Sequence, residues 1–126
     1  MSYIPLVWEV EYTDEFKDWW SHLSQEQQEA LHDRVTLLAE NGPNLKRPVV
    51  GEIKSSRHKN MKELIVSAAG SLRVLFALDP RRHAILLLGG DKTGDWDAWY
   101  ATAVPHADDL YDQHLQELRD EGSLDE

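Results

Sequence analysis

The N-terminal third of the chain passes from a strand pattern to a helical pattern. Residues 6–12 form a short run rich in Val, Trp and Tyr, which is typical of a strand. Over residues 13–41 apolar side chains recur three and four positions apart, and Asn41-Gly42-Pro43 ends the pattern. Ser24 starts a capping-box pattern. We therefore predict a helical hairpin over 13–41 with a tight break near Leu23 and Ser24.

The middle of the chain has strand patterns joined by short polar turns. Residues 49–54 predict a weak strand, and residues 55–60 (SSRHKN) predict a polar loop. Residues 61–68 and 72–79 predict a hairpin, and the continuous apolar run at 84–90 predicts a strand buried on both faces. Because the links between the last three strands are short, these strands should be antiparallel neighbours.

The C-terminal segment returns to a helical period. Asp95 can cap a short helix, which Pro105 should break before a further helix begins. Residues 121–126 are expected to fray. The order of strand, two helices, about four strands and then helices predicts one α+β domain over 1–126.

Composition excludes several classes of protein. The chain has 126 residues, 41% of them hydrophobic, and no cysteine. A disulfide scaffold, a thiol nucleophile and a cysteine-ligated metal site are therefore excluded. No apolar run approaches the ~18 residues that would predict a membrane span, and the N-terminus has no signal-peptide pattern, so we expect a cytoplasmic protein.

Charge is distributed unevenly along the chain. The net charge is −10, which by itself argues against binding of nucleic acid. Residues 46–92, however, hold ten basic and four acidic side chains and so carry +6, whereas the remainder carries −16. Because salt screens fields beyond ~8–10 Å, a phosphate near the middle segment would respond mainly to its local charge.

Alternation within the strands predicts a cationic sheet face. Arg73 alternates with the apolar positions of its strand, and Lys62 does the same beside Glu63. Pairing of the two strands can bring Lys62 and Arg73 onto one face, and the next strand would deliver Lys92 at its end. Such a face could bind phosphates. The alternative is a solvated face whose cations pair with acids.

Other motifs give weaker signals. The GGDKTG run lacks the spacing of a Walker A loop, and its glycines are expected to let the strand end turn sharply. No H-x-x-x-H or G-x-S-x-G pattern occurs, so neither a metal site nor a serine triad is predicted. His114 lies on an apolar helical stripe, where it is either a packed histidine or a proton donor. Among the aromatic residues, Tyr100 is the candidate for base stacking.

The segment from residue 42 to residue 115 resembles a known family. The motifs KEL, RVLFALDP, LLLGGDKTG and ADDLYDQHL, preceded by the helical hairpin, are similar to those of the phage-derived, HigB-like branch of the RelE/ParE toxin superfamily. This resemblance implies a small antiparallel sheet with an N-terminal helical hairpin. It also implies a type II toxin that cuts messenger RNA, often on the ribosome, and a helix-turn-helix antitoxin as partner.

The resemblance extends to individual residues. Lys62, Arg73 and Lys92 match basic residues of the family, and Tyr100 roughly matches an aromatic one. The chain departs from the pattern at Ile65, where many relatives carry another basic residue.

Cleavage without metal or cofactor would follow from this resemblance. Lys62 would act as base, Arg73 would stabilise the phosphorane charge, and Lys92 or His114 would protonate the leaving oxygen. RNA would be bound by the basic loop and one aromatic side chain, namely Lys54, Arg57, His58, Lys59 and Tyr100. Two alternatives remain open: a toxin of this fold that inhibits a protein target such as DNA gyrase, and a non-catalytic binding module.

Overall fold

A computed structural model describes residues 7–91 and 95–123 as one sheet with helices on both faces. The described elements are β1 (Glu9–Tyr12), α1 (Asp14–Ser21), α2 (Gln25–Asn41), a 3₁₀ turn (Gly42–Asn44), β2 (Val50–Glu52), β3 (Met61–Val66), β4 (Leu72–Asp79), β5 (His83–Asp91) and α3 (Trp96–Asp120). This arrangement confirms the predicted α+β class. Within these ranges no helix has the length and apolar character needed to cross a membrane.

The five strands lie in the order β1-β5-β4-β3-β2. The strands β3, β4 and β5 are antiparallel neighbours, as their short connections predict. The sheet is nevertheless mixed, because β1 pairs with β5 in parallel. The two edge strands are short, with four residues in β1 and three in β2.

The helical hairpin covers one face of the sheet. Thr13 caps α1, and Ser24 and Gln27 form the predicted capping box of α2. The hairpin buries a cluster to which alternate residues of the central strands contribute, among them Leu64, Val74, Phe76 and Leu86. We call this side the hairpin face.

The helix α3 covers the opposite face, which we call the α3 face. The predicted break at Pro105 is wrong, since α3 runs from Trp96 to Asp120 with the proline inside it. Pro105 and Ala101, the residue whose carbonyl loses a hydrogen bond to it, both face solvent, so water can satisfy that carbonyl. Ala103, Val104 and Ala107 remain buried against the sheet on either side of the proline.

Two adjacent glycines near the end of β5 admit a tryptophan from each face. A Cβ atom on Gly89 would lie 2.1 Å from the ring of Trp19, and one on Gly90 would lie 2.5 Å from the ring of Trp99. Both glycines stay within the strand, so the expectation that they form a sharp turn is wrong. They are needed because the absence of side chains allows α1 and α3 to approach the sheet.

Replacement of Gly89 by alanine should destabilise the fold. Because the new methyl group would overlap the Trp19 ring, we expect Gly89→Ala to lower the free energy of unfolding by about 1–3 kcal/mol in urea denaturation followed by circular dichroism. In a Trp19→Ala background the same change should cost less than about 1 kcal/mol. Equal costs in both backgrounds would contradict this explanation.

Candidate active site

Arg73 projects from β4 onto the α3 face, opposite Ile65 of β3 and Gly90 of β5. Its guanidinium carbon lies 5.3 Å from the centre of the Trp96 ring. Its Nε lies 3.6 Å from a carboxylate oxygen of Glu63, and its side chain is 20% exposed. An arginine held in this way on an aromatic ring and an acid presents fixed N–H groups that suit a phosphate.

Glu63 is a buried acid beside Arg73, with 6% of its surface exposed. Its Oε1 accepts a hydrogen bond from the hydroxyl of Tyr100. Its Oε2 lies 3.7 Å from Nη2 of Arg47, at the mouth of the site. The sequence alone predicts for Glu63 only that it pairs with cations. A further role of Glu63 is indicated by its position as the single acid of the stretch ELIV, in a strand that is buried on both faces.

Tyr100 supplies the third group of this centre from the first turns of α3. Burial, followed by the hydrogen bond to the Glu63 carboxylate, raises the pKa of Tyr100 from 10.0 to about 12. The phenol therefore stays protonated at neutral pH and holds one oxygen of Glu63 in a fixed position. We refer to Arg73, Glu63 and Tyr100 together as the Arg73 centre.

A groove of about 530 Å³ opens beside the Arg73 centre along the β2 edge. Arg47, Lys54, Glu63 and Tyr100 are among the residues that line it. Of the residues predicted to bind RNA, Lys54 and Tyr100 are thus brought together here. The groove is open, and Arg47 and Lys54 line it together with Glu52, so a phosphodiester can reach Glu63 and Tyr100 of the Arg73 centre from this side.

Lys62 does not join this centre. It lies opposite Phe76 on the hairpin face, whereas Arg73 lies opposite Ile65 on the α3 face. The prediction that Lys62 and Arg73 share one face is therefore wrong. The pairing of Val66 with Leu72 sets a register in which even-numbered residues of β3 share a face with even-numbered residues of β4.

His114 also lies away from Arg73, at the opposite end of the sheet. Its Nε2 is 3.1 Å from the buried carboxylate of Asp79. Asp79 and Arg73 are six residues apart on β4, which corresponds to about 20 Å. His114 therefore cannot donate a proton to a group bound at Arg73, and its assignment as the acid of that site is wrong.

The cluster around Asp79 has ligand atoms that a metal could use. Oxygen or nitrogen atoms of Glu11, Asp79 and His114 lie within 4.8 Å of one another. Nη2 of Arg81, however, lies 2.6 Å from Asp79 and 2.7 Å from Glu11. Since the guanidinium already provides the positive charge, this cluster is a side-chain clamp between β1, β4 and α3. Burial raises the pKa of Asp79, but hydrogen bonds from Arg81 and His114 bring it below the ordinary value.

The basic loop at 55–60 is held by acids of α3. Arg57 binds Asp109 and Asp112, and these carboxylates raise its pKa. His58 contacts Asp112 through Nε2 at 2.7 Å. Lys59 is exposed on the same loop. The charge of Arg57 is thus compensated within the chain and the His58 ring is already in contact with a carboxylate, so these two predicted RNA-binding residues have less capacity left for phosphates.

Lys92, the remaining predicted catalytic residue, lies outside the described residues. In sequence it follows Asp91, the last residue of β5, which pairs with Leu72 next to Arg73.

Comparison with known proteins decides the family. The family model described as "Phage derived protein Gp49-like" matches residues 18–112 of this chain. The chain belongs to the Gp49-like family. This result agrees with the resemblance drawn from the KEL, RVLFALDP and LLLGGDKTG motifs.

Two relatives come from Mycobacterium tuberculosis (strain ATCC 25618 / H37Rv). The chain is 40% identical to "Putative toxin HigB2" over 81% of its own length and 52% of that protein. It is 47% identical to "Putative toxin HigB3" over 71% of its own length and 78% of that protein. The Gp49-like chain thus spans about half the length of the first relative and most of the second.

Solved structures share the fold. The isolated E. coli RelE toxin superposes with a TM-score of 0.58 at 10% identity, covering 76% of this chain and 96% of RelE. The intact E. coli RelBE toxin–antitoxin complex contains a chain that matches with a TM-score of 0.55 at 7% identity, covering 69% of this chain and 99% of that one. At such low identity these matches establish the fold alone.

The pKa of Tyr100 can be measured by its tyrosinate absorbance. We expect the phenol of Tyr100 to ionise at a pH near 12. The matching rise in tyrosinate absorbance should be absent in Tyr100→Phe. Glu63→Gln should lower this pKa, because a neighbouring carboxylate disfavours tyrosinate, but burial should keep it above 10.0. No change of the pKa in Glu63→Gln would contradict the proposed contact.

Loss of Arg81 should destabilise the fold strongly. Arg81→Leu leaves the buried carboxylate of Asp79 without its main partner, so we expect the free energy of unfolding to fall by about 3–5 kcal/mol. Asp79→Asn in the same chain removes the uncompensated charge and should recover part of this loss. Urea denaturation at neutral pH measures both. A loss below about 1 kcal/mol in Arg81→Leu would contradict the role of the clamp.

Proposed function

We propose that this chain is the toxin of a type II toxin–antitoxin pair and that it cleaves messenger RNA at the Arg73 centre. The observation that carries the proposal is the contact of Arg73 with the buried Glu63 and its Tyr100 partner beside an open groove that Arg47 and Lys54 line. The kinship with proteins named HigB2 and HigB3 supports the toxin role.

Arg73 is suited to stabilise charge during the reaction. In RNA cleavage the 2′-oxygen attacks the adjacent phosphorus, the bond to the 5′-oxygen breaks, and a 2′,3′-cyclic phosphate forms. Negative charge accumulates on the phosphoryl oxygens in the transition state. The guanidinium of Arg73 keeps its proton throughout, and the Trp96 ring and Glu63 fix its orientation.

Glu63 replaces Lys62 as the proposed base. It is a carboxylate on the same face as Arg73, and it lies at the wall of the groove. In this proposal one carboxylate oxygen of Glu63 takes the proton from the 2′-hydroxyl, while the hydroxyl of Tyr100 holds the other carboxylate oxygen in place. Tyr100 is thus a positioning residue. Because the base, the charge stabiliser and the orienting group are all side chains, these steps do not require a metal.

The proton for the leaving 5′-oxygen must come from the side opposite the base. Lys92 keeps this role as a proposal from the family resemblance, since it follows the strand end that pairs beside Arg73 in the sheet. The partner proposed for the whole toxin is a helix-turn-helix antitoxin. Action on the ribosome and a cytoplasmic location belong to the same proposal.

Substitution of Arg73 tests the catalytic assignment. We expect Arg73→Ala to slow RNA cleavage by about 10²–10³-fold, because it removes the group that stabilises the transition-state charge. New RNA 5′ ends mapped across the transcriptome after a brief induction measure the effect. Arg34→Ala, which removes the same charge from α2, is the matched control and should cleave like the unaltered chain.

The outcomes separate the competing functions. New 5′ ends within coding regions that disappear in Arg73→Ala support cleavage at this centre. Growth arrest without new ends would reject RNA cleavage and favour a protein target. Cleavage that persists in both Arg73→Ala and Glu63→Gln would reject the assignment of these residues.

A further inference from the structure

A second cationic groove lies at the β2 edge on the side that the catalytic proposal does not use. Its volume is about 460 Å³, and four cations line it: Lys46, Arg47, Lys54 and Lys62. Glu52 is the only acid among its described lining residues. Side chains of one charge at this density repel one another, so the groove favours a negatively charged ligand.

Lys62 gives this groove a fixed positive charge. Its side chain is 17% exposed, so most of its stem is packed, and its Nζ lies 3.9 Å from Glu52. Glu52 itself is 71% exposed, and an exposed ion pair at this separation contributes little. The ammonium of Lys62 therefore has N–H groups available for a stronger acceptor.

The second groove continues into the groove of the Arg73 centre. Arg47 and Lys54 line both of them. The structural reason is that β2 is an edge strand of three residues, so a long side chain on either side of it reaches around the edge. At Gly51 a Cβ atom would lie 2.9 Å from Nη2 of Arg47, so the glycine allows the guanidinium to lie across the strand.

We propose that this second groove, which we call the Lys62 groove, binds a backbone phosphate of the RNA next to the cleaved nucleotide, so that the RNA passes around the β2 edge. The inference rests on the proposed function and gives Lys62 a role in binding in place of catalysis. A continuous polyanion fits better than a single anion, because Arg47 and Lys54 line both grooves and so link Lys62 on one face to the Arg73 centre on the other.

An acidic protein segment is the competing occupant. The observations favour RNA because the Lys62 groove is continuous with the centre that is proposed to hold the scissile phosphate. A peptide that only blocks the toxin needs no such continuity.

Salt-dependent binding of an uncleavable RNA tests the inference. The probe is a single-stranded oligonucleotide with 2′-O-methyl riboses, which lacks the attacking hydroxyl. The unaltered chain is compared with Lys54→Gln/Lys62→Gln, and Lys17→Gln on the exposed side of α1 controls for loss of charge alone. Thermal unfolding of each variant confirms that it is folded.

The expected result is a change in both affinity and salt dependence. Loss of the phosphate contact should reduce the slope of log K against log salt by about 0.7, and should weaken binding by roughly 5-fold at about 0.1 M salt. Lys17→Gln should change neither quantity.

Three other results would overturn the inference. Equal affinity and slope in the double variant and the unaltered chain would mean that the Lys62 groove holds no phosphate. If the unaltered chain still cleaves unmodified RNA in that case, the proposed function stands without this subsite. If the unaltered chain neither binds nor cleaves RNA, both proposals are overturned. Unchanged RNA binding with loss of neutralisation by the antitoxin would assign the groove to an acidic protein segment.

Discussion

Burial of the central strands on both faces is the constraint that governs this molecule. The strand β4 packs under the helical hairpin on one side and under α3 on the other. Most positions along β3, β4 and β5 must therefore be apolar, and polar chemistry is confined to the strand ends and the β2 edge. The packing is close on both faces at Gly89 and Gly90, where Trp19 and Trp99 lie against the sheet. Each ring fits there only because the glycine has no Cβ atom.

Two carboxylates are nevertheless buried in the sheet, and both lie on the α3 face. Glu63 and Asp79 are 6% and 2% exposed, and each is held by at least one arginine. The two carboxylates differ in whether their surroundings are closed or open. Asp79 accepts from Arg81 and His114 within a closed clamp. Glu63 adjoins an open groove. Asp79 is thus enclosed by its partners, whereas Glu63 is held by partners and also adjoins the groove, and its proposed role as a base depends on this access.

The sequence predicted the elements better than the site. Helical periodicity and the capping box located both helices of the hairpin, and short links predicted the antiparallel strands. Alternation shows which residues of one strand share a face, but not which face pairs with that of the next strand. The register of β3 against β4 decides this, and one residue more or less in their connection would have placed Lys62 on the same face as Arg73. The helix break predicted at Pro105 is wrong for a similar reason, because tertiary packing of α3 on the sheet outweighs the local preference of proline to end a helix.

The acidic flanks of the chain also shape its cationic surface. Acids of α3 neutralise Arg57 and approach His58, so the loop at 55–60 contributes less positive charge than its sequence indicates. Four other cations, Lys46, Arg47, Lys54 and Lys62, line the groove at the β2 edge. Because fields between exposed charges decay over about 8–10 Å at physiological salt, the net charge of −10 repels a polyanion elsewhere on the surface without cancelling attraction at this edge. In the proposed complex the acidic remainder of the surface would restrict RNA to the β2 edge, where the groove leads to the buried Glu63.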